Sequence, residues 1–189
     1  VSYNIRRAGE FGIITLLDML NEKFPEWDAL FLQEVGIATQ TEWCERRSQD
    51  GFMGHMYISA FPWYDCAIIV HRKWTGQLKN IRHNRHSQYV HLCTPDGHGI
   101  SLINCHLPCS DATDDAYEIS LLELQQLCST RESPRVLVGG DFNASVGRDS
   151  CPASLLGSFA PQTAWTVRGH LLSSFISAPL SSVNFAISS

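Results

Sequence analysis

The segment over residues 136–144 constrains the fold of this chain more than any other feature. Three apolar residues run into two glycines, a pattern typical of a buried strand that stops at a turn. Asp141 and Asn143 follow on the same side of the extended chain, because side chains alternate along a strand. An acid and an amide at a strand end can orient a water and bind a phosphate oxygen. The same pattern also fits an Asx-type turn after a strand.

Composition predicts one domain over residues 1–189. The hydrophobic fraction of 44% favours a packed core and argues against disorder. The net charge of −5 counts mildly against tight, static binding of nucleic acid, although an enzyme can meet a phosphodiester through a metal ion. Basic residues do cluster between 72 and 86, and we interpret them as a solvated hairpin edge in preference to a phosphate-facing patch. No apolar run is long enough to predict a membrane span.

The cysteines predict a reducing compartment. Their number, seven, is odd, and no CxxC pair or complete zinc pattern occurs, so free thiols are expected. Together with the absence of a signal peptide, this favours an intracellular protein, nuclear or cytoplasmic. No obligate protein partner is predicted.

Apolar periodicity predicts alternating strands and helices. Residues 1–5 and 29–35 read as strands on either side of a helix over 11–24, which makes a crossover unit. Further elements are expected as follows: a helix over 36–50; strands over 67–70, 87–93 and 100–105; a helix over 117–128 with Ile119, Leu122, Leu124 and Leu127 on its apolar face; a loop over 145–163; and a short helix over 171–180. These elements indicate an α/β protein built on one sheet or on two stacked sheets.

Four of the predicted strands share one feature, a polar residue where the apolar run ends. They end in Asn4, in Gln33-Glu34, in the segment 104–108 that contains His106, and in Asp141 with Asn143. Each of these residues taken alone is more often a solvated strand end or a structural residue. Their order and spacing together suggest one shared site.

These four motifs resemble the endonuclease/exonuclease/phosphatase superfamily over roughly Val1 to Ala186. The superfamily includes deoxyribonuclease I, abasic-site endonucleases, deadenylases, neutral sphingomyelinases and the endonucleases of non-LTR retrotransposons. Leu32-Gln33-Glu34 is similar to its LQE motif, and 140–143 is similar to its GDFN signature. The resemblance implies a four-layer α/β sandwich of two packed, mostly antiparallel sheets flanked by helices, here incomplete at the C-terminus.

The resemblance also implies a role for each site residue. Glu34 and Asn4 would bind a divalent metal, Mg²⁺ with Mn²⁺ as an alternative, because hard cations prefer oxygen ligands. Asp141 would align the attacking water. His106 and Asn143 would donate hydrogen bonds to phosphate oxygens as negative charge develops on them. The implied function is a phosphodiesterase of nuclease type, a DNA endonuclease with nucleic acid as its substrate.

Two departures from the family pattern keep alternatives open. The chain begins at Val1 inside a predicted strand and stops at Ser189 without a closing element, so we expect a piece truncated at both ends. It contains no Asp-His sequence, although the family carries such a pair downstream, so we expect this piece to be inactive alone. A non-catalytic relic of the fold is the alternative. Substrate cues also conflict: residues 168–172, Phe175 and Asn184 resemble retrotransposon endonucleases, whereas His106 resembles the deoxyribonuclease, deadenylase and sphingomyelinase branches. A phosphatase-like hydrolase is a further alternative.

Overall fold

The computed structural model describes residues 2–37, 41–48, 51–59, 65–74, 78–93, 98–108, 114–130, 132–133, 135–143 and 183–187. Strands and two helices alternate along these ranges. In chain order they are β1 (Ser2–Asn4), α1 (Gly9–Lys23), β2 (Ala29–Gln33), β3 (Thr41–Ser48), β4 (Gly51–Ser59), β5 (Cys66–His71), β6 (Leu78–His83), β7 (Ser87–Cys93), β8 (Gly99–His106), α2 (Asp114–Ser129), β9 (Val136–Asp141) and β10 (Val183–Ile187). The loop and helix predicted over 145–163 and 171–180 lie outside the described residues.

The first sheet has the strand order β1-β2-β5-β4-β3. β1 and β2 run parallel, and α1 connects them, so the predicted crossover unit is confirmed. α1 buries one apolar stripe against the sheet, because residues three and four apart share a helix face. The stripe consists of Ile13, Leu16, Leu17 and Leu20. The helix ends at Lys23, shortly before Pro25, which cannot continue it.

The helix predicted over 36–50 is wrong. Residues 41–48 form strand β3, which pairs antiparallel with β4 at the edge of the first sheet. Thr41, Trp43 and Cys44 all suit a strand, and the partner strand begins only three residues after β3 ends. The segment also contains charged residues, which are compatible with a helix. Hydrogen bonding to the neighbouring strand β4 decides in favour of a strand.

The second sheet has the order β10-β9-β8-β7-β6. The predicted hairpin of β7 and β8 is confirmed, with Ser87 opposite Cys105 and Cys93 opposite Gly99. β8 and β9 run parallel and are connected through α2, while β9 also pairs in parallel with β10.

The apolar face predicted for α2 is partly wrong. Ile119 and Leu122 are each 57% exposed, although Leu124 and Leu127 are buried as expected. The buried stripe instead includes residues spaced by four, three and four positions, which is the spacing of one helix face. These residues are Tyr117, Leu121, Leu124 and Cys128.

The two sheets pack face to face and the helices cover their outer faces. Phe31 and Ile68 of the first sheet meet Val90 and Leu102 of the second in one apolar cluster. The opposite face of β2 and β5 packs on α1, and the opposite face of β7, β8 and β9 packs on α2. A Cβ added at Gly139 would lie 2.4 Å from the Phe31 ring, so this glycine allows the sheets to approach closely. The four-layer sandwich is therefore confirmed.

The described residues add two smaller observations. Cys66, Cys93, Cys105 and Cys128 are free thiols. No helix in the described ranges is long and apolar enough to cross a membrane.

Candidate active site

The ends of two parallel strand pairs bring the predicted residues together. In the first sheet, Asn4 ends β1 opposite Gln33, and Glu34 follows directly. In the second sheet, His106 ends β8 opposite Asp141, which ends β9. Because parallel strands end at the same edge of a sheet, each sheet contributes half of one polar cluster.

Asn4 joins the two halves of this cluster. Its Nδ2 donates to Glu34 Oε1 at 2.9 Å and to Asp141 Oδ2 at 3.2 Å. Its Oδ1 accepts a hydrogen bond from the Arg6 backbone N–H at 3.0 Å. The side chain therefore presents its nitrogen to the carboxylates. In this orientation Asn4 bridges the acids, and its role as a metal ligand stays a prediction.

The backbone around Glu34 is held on both sides. Glu34 has a left-handed φ of 52°, an unfavourable conformation for a residue with a Cβ. Its carbonyl accepts from the Arg7 N–H at 2.6 Å, and the following Val35 N–H donates to the Asp65 carbonyl at 3.3 Å. The side chain is one-third exposed, so the carboxylate is accessible from solvent.

Asp65 is a site neighbour that the sequence reasoning missed. It is 5% exposed, and its Oδ2 accepts a hydrogen bond from the Gly36 N–H in the segment after Glu34. The other carboxylate oxygen is buried without a hydrogen-bond partner in the described part of the chain. The only signal available in the sequence was an acid directly before an apolar strand.

His106 lies at the inner wall of the cluster. Its Nε2 is 3.9 Å from Glu34 Oε1, and the residue is 6% exposed. Burial lowers the pKa of His106 below its usual range, although the nearby carboxylates of Asp141, Glu34 and Asp65 oppose this shift. His86 packs behind it, with Nδ1 3.2 Å from the His106 carbonyl, and burial lowers the pKa of His86 to about 4. Near neutral pH both rings are therefore uncharged.

The segment 141–143 forms the Asx turn that the sequence allowed. The Asn143 N–H donates to Asp141 Oδ1 at 3.0 Å, while Asn143 Nδ2 donates to the Leu107 carbonyl at 2.8 Å. The Tyr117 hydroxyl of α2 donates to the Phe142 carbonyl at 2.8 Å. The Asx turn and a chemical role for Asp141 are therefore compatible, because the turn holds the Asp141 carboxylate in a fixed position.

The backbone conformation and close packing at Gly140 explain why the motif has a second glycine. Its φ is +150°, and a Cβ there would lie 2.0 Å from the Cys105 carbonyl oxygen. Only glycine allows β9 to approach β8 this closely beside the site.

Two members of the basic cluster make contacts within the protein. Lys73 Nζ lies 2.9 Å from Asp28 Oδ1, and Arg82 donates to the Thr130 side chain and carbonyl. The Arg82 guanidinium also lies 4.1 Å from the centre of the Tyr89 ring. Lys79 and Arg82 lie on β6, the edge strand of the second sheet that pairs with β7, so this part of the cluster lies on a hairpin edge, whereas Lys73 follows β5 of the first sheet.

The donor set at the site fits a hard divalent cation. Two carboxylates converge on one amide nitrogen, and Mg²⁺ is usually held by one or two carboxylates together with water. Within the described residues, no three His, Cys, Asp or Glu side chains form a metal-binding group, so a site made entirely of protein ligands is not observed there. Glu34, with its accessible carboxylate, is the residue best placed to hold such an ion.

Comparison with known protein families gives one extensive match. A family model described as the Endonuclease/Exonuclease/phosphatase family matches residues 1–180. No curated protein sequence matches the chain.

Several solved structures share the fold at low sequence identity. A zebrafish (D. rerio) TDP2 carrying 14 humanizing mutations aligns with a TM-score of 0.54 at 14% identity, covering 82% of this chain and 64% of that one. The human Nocturnin catalytic domain with bound sulfate aligns with a TM-score of 0.52 at 16% identity, covering 82% and 67%. D. rerio TDP2 in complex with a single-stranded DNA product aligns with a TM-score of 0.52 at 14% identity, covering 82% and 62%. The chain spans about half to two thirds of the length of the structures it resembles.

Proposed function

Because the chain belongs to the Endonuclease/Exonuclease/phosphatase family, we propose that it is a metal-dependent phosphodiesterase of nuclease type. One observation carries this proposal: Asn4 Nδ2 is hydrogen-bonded to both Glu34 and Asp141, which are far apart in the sequence and come from different sheets. Anionic side chains brought this close suit a site that holds a cation and a phosphate.

Each residue then has a separate task. Glu34 would hold Mg²⁺ or Mn²⁺, which would supply positive charge to the phosphate and to the leaving oxygen. Asp141 accepts hydrogen bonds and orients the attacking water, because the Asx turn and Asn4 fix both of its oxygens.

Two uncharged donors complete the site. The neutral imidazole of His106 donates one hydrogen bond to a non-bridging phosphate oxygen. The amide of Asn143 has two donor hydrogens, of which one binds the Leu107 carbonyl, and the other serves the phosphate.

We propose DNA as the substrate. The zebrafish TDP2 complex with a single-stranded DNA product supports nucleic acid, since it shares the fold of this chain. A retrotransposon-type endonuclease rests on the resemblance of residues 168–172, Phe175 and Asn184, whereas His106 favours the other branches. Plasmid DNA, single-stranded DNA, RNA, a phosphomonoester and sphingomyelin, assayed side by side, separate these alternatives.

A non-catalytic member of the family is the second candidate. It is favoured by one observation, that no Asp-His sequence occurs in the 189 residues. A folded protein that binds Mn²⁺ but hydrolyses none of these phosphoesters supports this candidate.

The test of the function is hydrolysis of a phosphodiester with Mg²⁺ or Mn²⁺ by the wild type and by Asp141→Asn. Loss of the group that orients water should lower kcat by about a hundredfold or more, with a small effect on folding. Asp18→Asn on the exposed face of α1 makes the same chemical change away from the site and should keep full activity. Equal rates for the wild type and Asp141→Asn contradict the role of Asp141.

A further inference from the structure

Three fully buried amide side chains lie between the two sheets, directly beneath the site. Gln33 belongs to β2, Gln88 to β7 and Asn104 to β8, and each is 0% exposed. Gln33 and Asn104 lie within two of the four sequence motifs, but the family resemblance implies no role for either side chain. We call these three residues the amide bridge.

The amide bridge connects one sheet to the other through directional hydrogen bonds. Gln33 Nε2 donates to Asn104 Oδ1 at 2.7 Å, and Asn104 Nδ2 donates to the carbonyls of Leu32 at 2.8 Å and Ala67 at 3.0 Å. Gln88 Nε2 donates to the Cys66 carbonyl at 2.9 Å. Strands β7 and β8 are thereby fixed to β2 and β5 of the other sheet.

Stability alone does not explain polar groups at this place. An apolar interface between sheets needs no amides, and buried polar atoms cost free energy unless every one is paired. Gln33 Oε1 is buried without a hydrogen-bond partner in the described ranges. We therefore assign the amide bridge a different effect: it fixes the position of one sheet relative to the other. Apolar packing alone does not fix this position, because hydrophobic contacts are non-directional.

The site above the amide bridge depends on this alignment, because its residues come from both sheets. Gln33 is joined by a peptide bond to Glu34, and Asn104 lies two residues before His106 on the same face of β8. A shift of β8 also moves Asp141, since the Leu107 N–H donates to the Asp141 carbonyl at 2.9 Å.

We propose that Gln33 and Asn104 are positioning residues that set the spacing between the two halves of the active site. This inference rests on the proposed phosphodiesterase function. The two amides would hold Glu34 at the correct distance from His106 and Asp141. They would not contact the substrate themselves.

The test replaces each amide by an apolar side chain of similar size, in Asn104→Leu and Gln33→Met. The matched control is Tyr89→Phe, which also removes two hydrogen bonds but away from the site: a buried one with Ser101 Oγ at 3.0 Å and a partly buried one from the Glu132 N–H at 3.1 Å. For all four proteins we measure kcat and KM, Mn²⁺ affinity by electron paramagnetic resonance, and stability in urea.

The two amide variants should lose about tenfold or more in kcat and bind Mn²⁺ more weakly, because displacements near 1 Å are costly to catalysis. KM should change little, and Tyr89→Phe should keep wild-type kcat and Mn²⁺ affinity. A folded Asn104→Leu with wild-type kcat and affinity overturns the proposal, as does an equal loss in Tyr89→Phe at matched stability. If Asn104→Leu does not fold, Gln33→Met decides, since it leaves the Asn104 bonds to Leu32 and Ala67 in place.

Crystal structures separate failure of this inference from failure of the proposed function. A wild type that neither hydrolyses phosphodiesters nor binds Mn²⁺ refutes the function. The separation of Glu34 Oε1 from His106 Nε2, now 3.9 Å, should still change by about 1 Å in the amide variants. An unchanged separation overturns the positioning role whatever the activity.

Discussion

Substitution of Asn4 by aspartate tests whether two carboxylates really converge on this residue. Asn4 Nδ2 donates to Glu34 at 2.9 Å and to Asp141 at 3.2 Å, so Asn4→Asp removes both bonds and places a third negative charge between the two. A hydrogen bond to a charged group contributes about 1.5–3 kcal/mol when buried, and about 1 kcal/mol is reasonable for each here because the site is half-buried. Each new like-charge contact adds about 1 kcal/mol or more.

Together these effects should lower the free energy of unfolding by on the order of 4 kcal/mol, which corresponds to a fall in Tm of roughly 10 °C for a domain of this size. High salt should reduce the loss by screening the charges. Lower pH should also reduce it, since protonation of the new carboxyl removes the repulsion. Millimolar Mn²⁺ should restore about 1 kcal/mol more stability in Asn4→Asp than in the wild type, because three carboxylates bind a divalent cation better than two.

The assay is urea unfolding followed by fluorescence, with and without Mn²⁺. Asn80→Asp is the matched control, because Asn80 Nδ2 donates to the single carboxylate of Glu132 at 2.6 Å on the exposed surface. It should lose at most about 1 kcal/mol and show no response to Mn²⁺. An Asn4→Asp protein as stable as the wild type refutes the convergence of Glu34 and Asp141, and one without a Mn²⁺ response refutes the cation site.

Two further predictions concern the support of the site. Tyr117→Phe removes the bond to the Phe142 carbonyl and should cost about 1–2 kcal/mol in urea and lower kcat severalfold, whereas Tyr3→Phe at an exposed position should do neither. Burial lowers the pKa of His86 to about 4, so His86 takes up a proton at a higher pH in the unfolded chain than in the folded protein. The free energy of unfolding therefore falls as the pH drops from 7 toward 4. His86→Gln should make this fall shallower by on the order of 2 kcal/mol, and His83→Gln on the exposed strand edge should leave it unchanged.

Apolar runs predicted most of the sandwich because burial decides where these strands lie. The strands containing Phe31, Ile68 and Val138 are buried on both faces, between a helix and the other sheet, so their sequences are continuously apolar. The polar residues that end such runs stand out against them. For this reason Asn4, Glu34 and Asp141 could be singled out, and the structure brings them together.

The errors arose where long-range pairing decided the structure. β3 mixes residues that suit a strand with charged residues, so its own composition did not decide between strand and helix, and its pairing with β4 at the sheet edge did. On α2, either of two stripes could have faced the core, and the position of the helix over β8 and β9 selected Tyr117 and Leu121 over Ile119 and Leu122.

Some site residues could not be found from one sequence. Gln88 and Asp65 stand beside apolar runs, where a polar residue usually marks the end of a strand. Their partners, the Cys66 carbonyl and the Gly36 N–H, are backbone groups that any sequence would supply. Only the packing of two sheets shows that these side chains are buried and hydrogen-bonded near the site.

The most direct test of the metal-dependent site is calorimetric titration of Mn²⁺ into the wild type and Glu34→Gln, with Glu132→Gln as an exposed control of the same chemistry. We predict one Mn²⁺ site in the wild type and in the control, and an affinity about tenfold or more weaker in Glu34→Gln, because the charged oxygen ligand is lost. Equal Mn²⁺ affinity in the wild type and Glu34→Gln, or no binding by the folded wild type, contradicts the account.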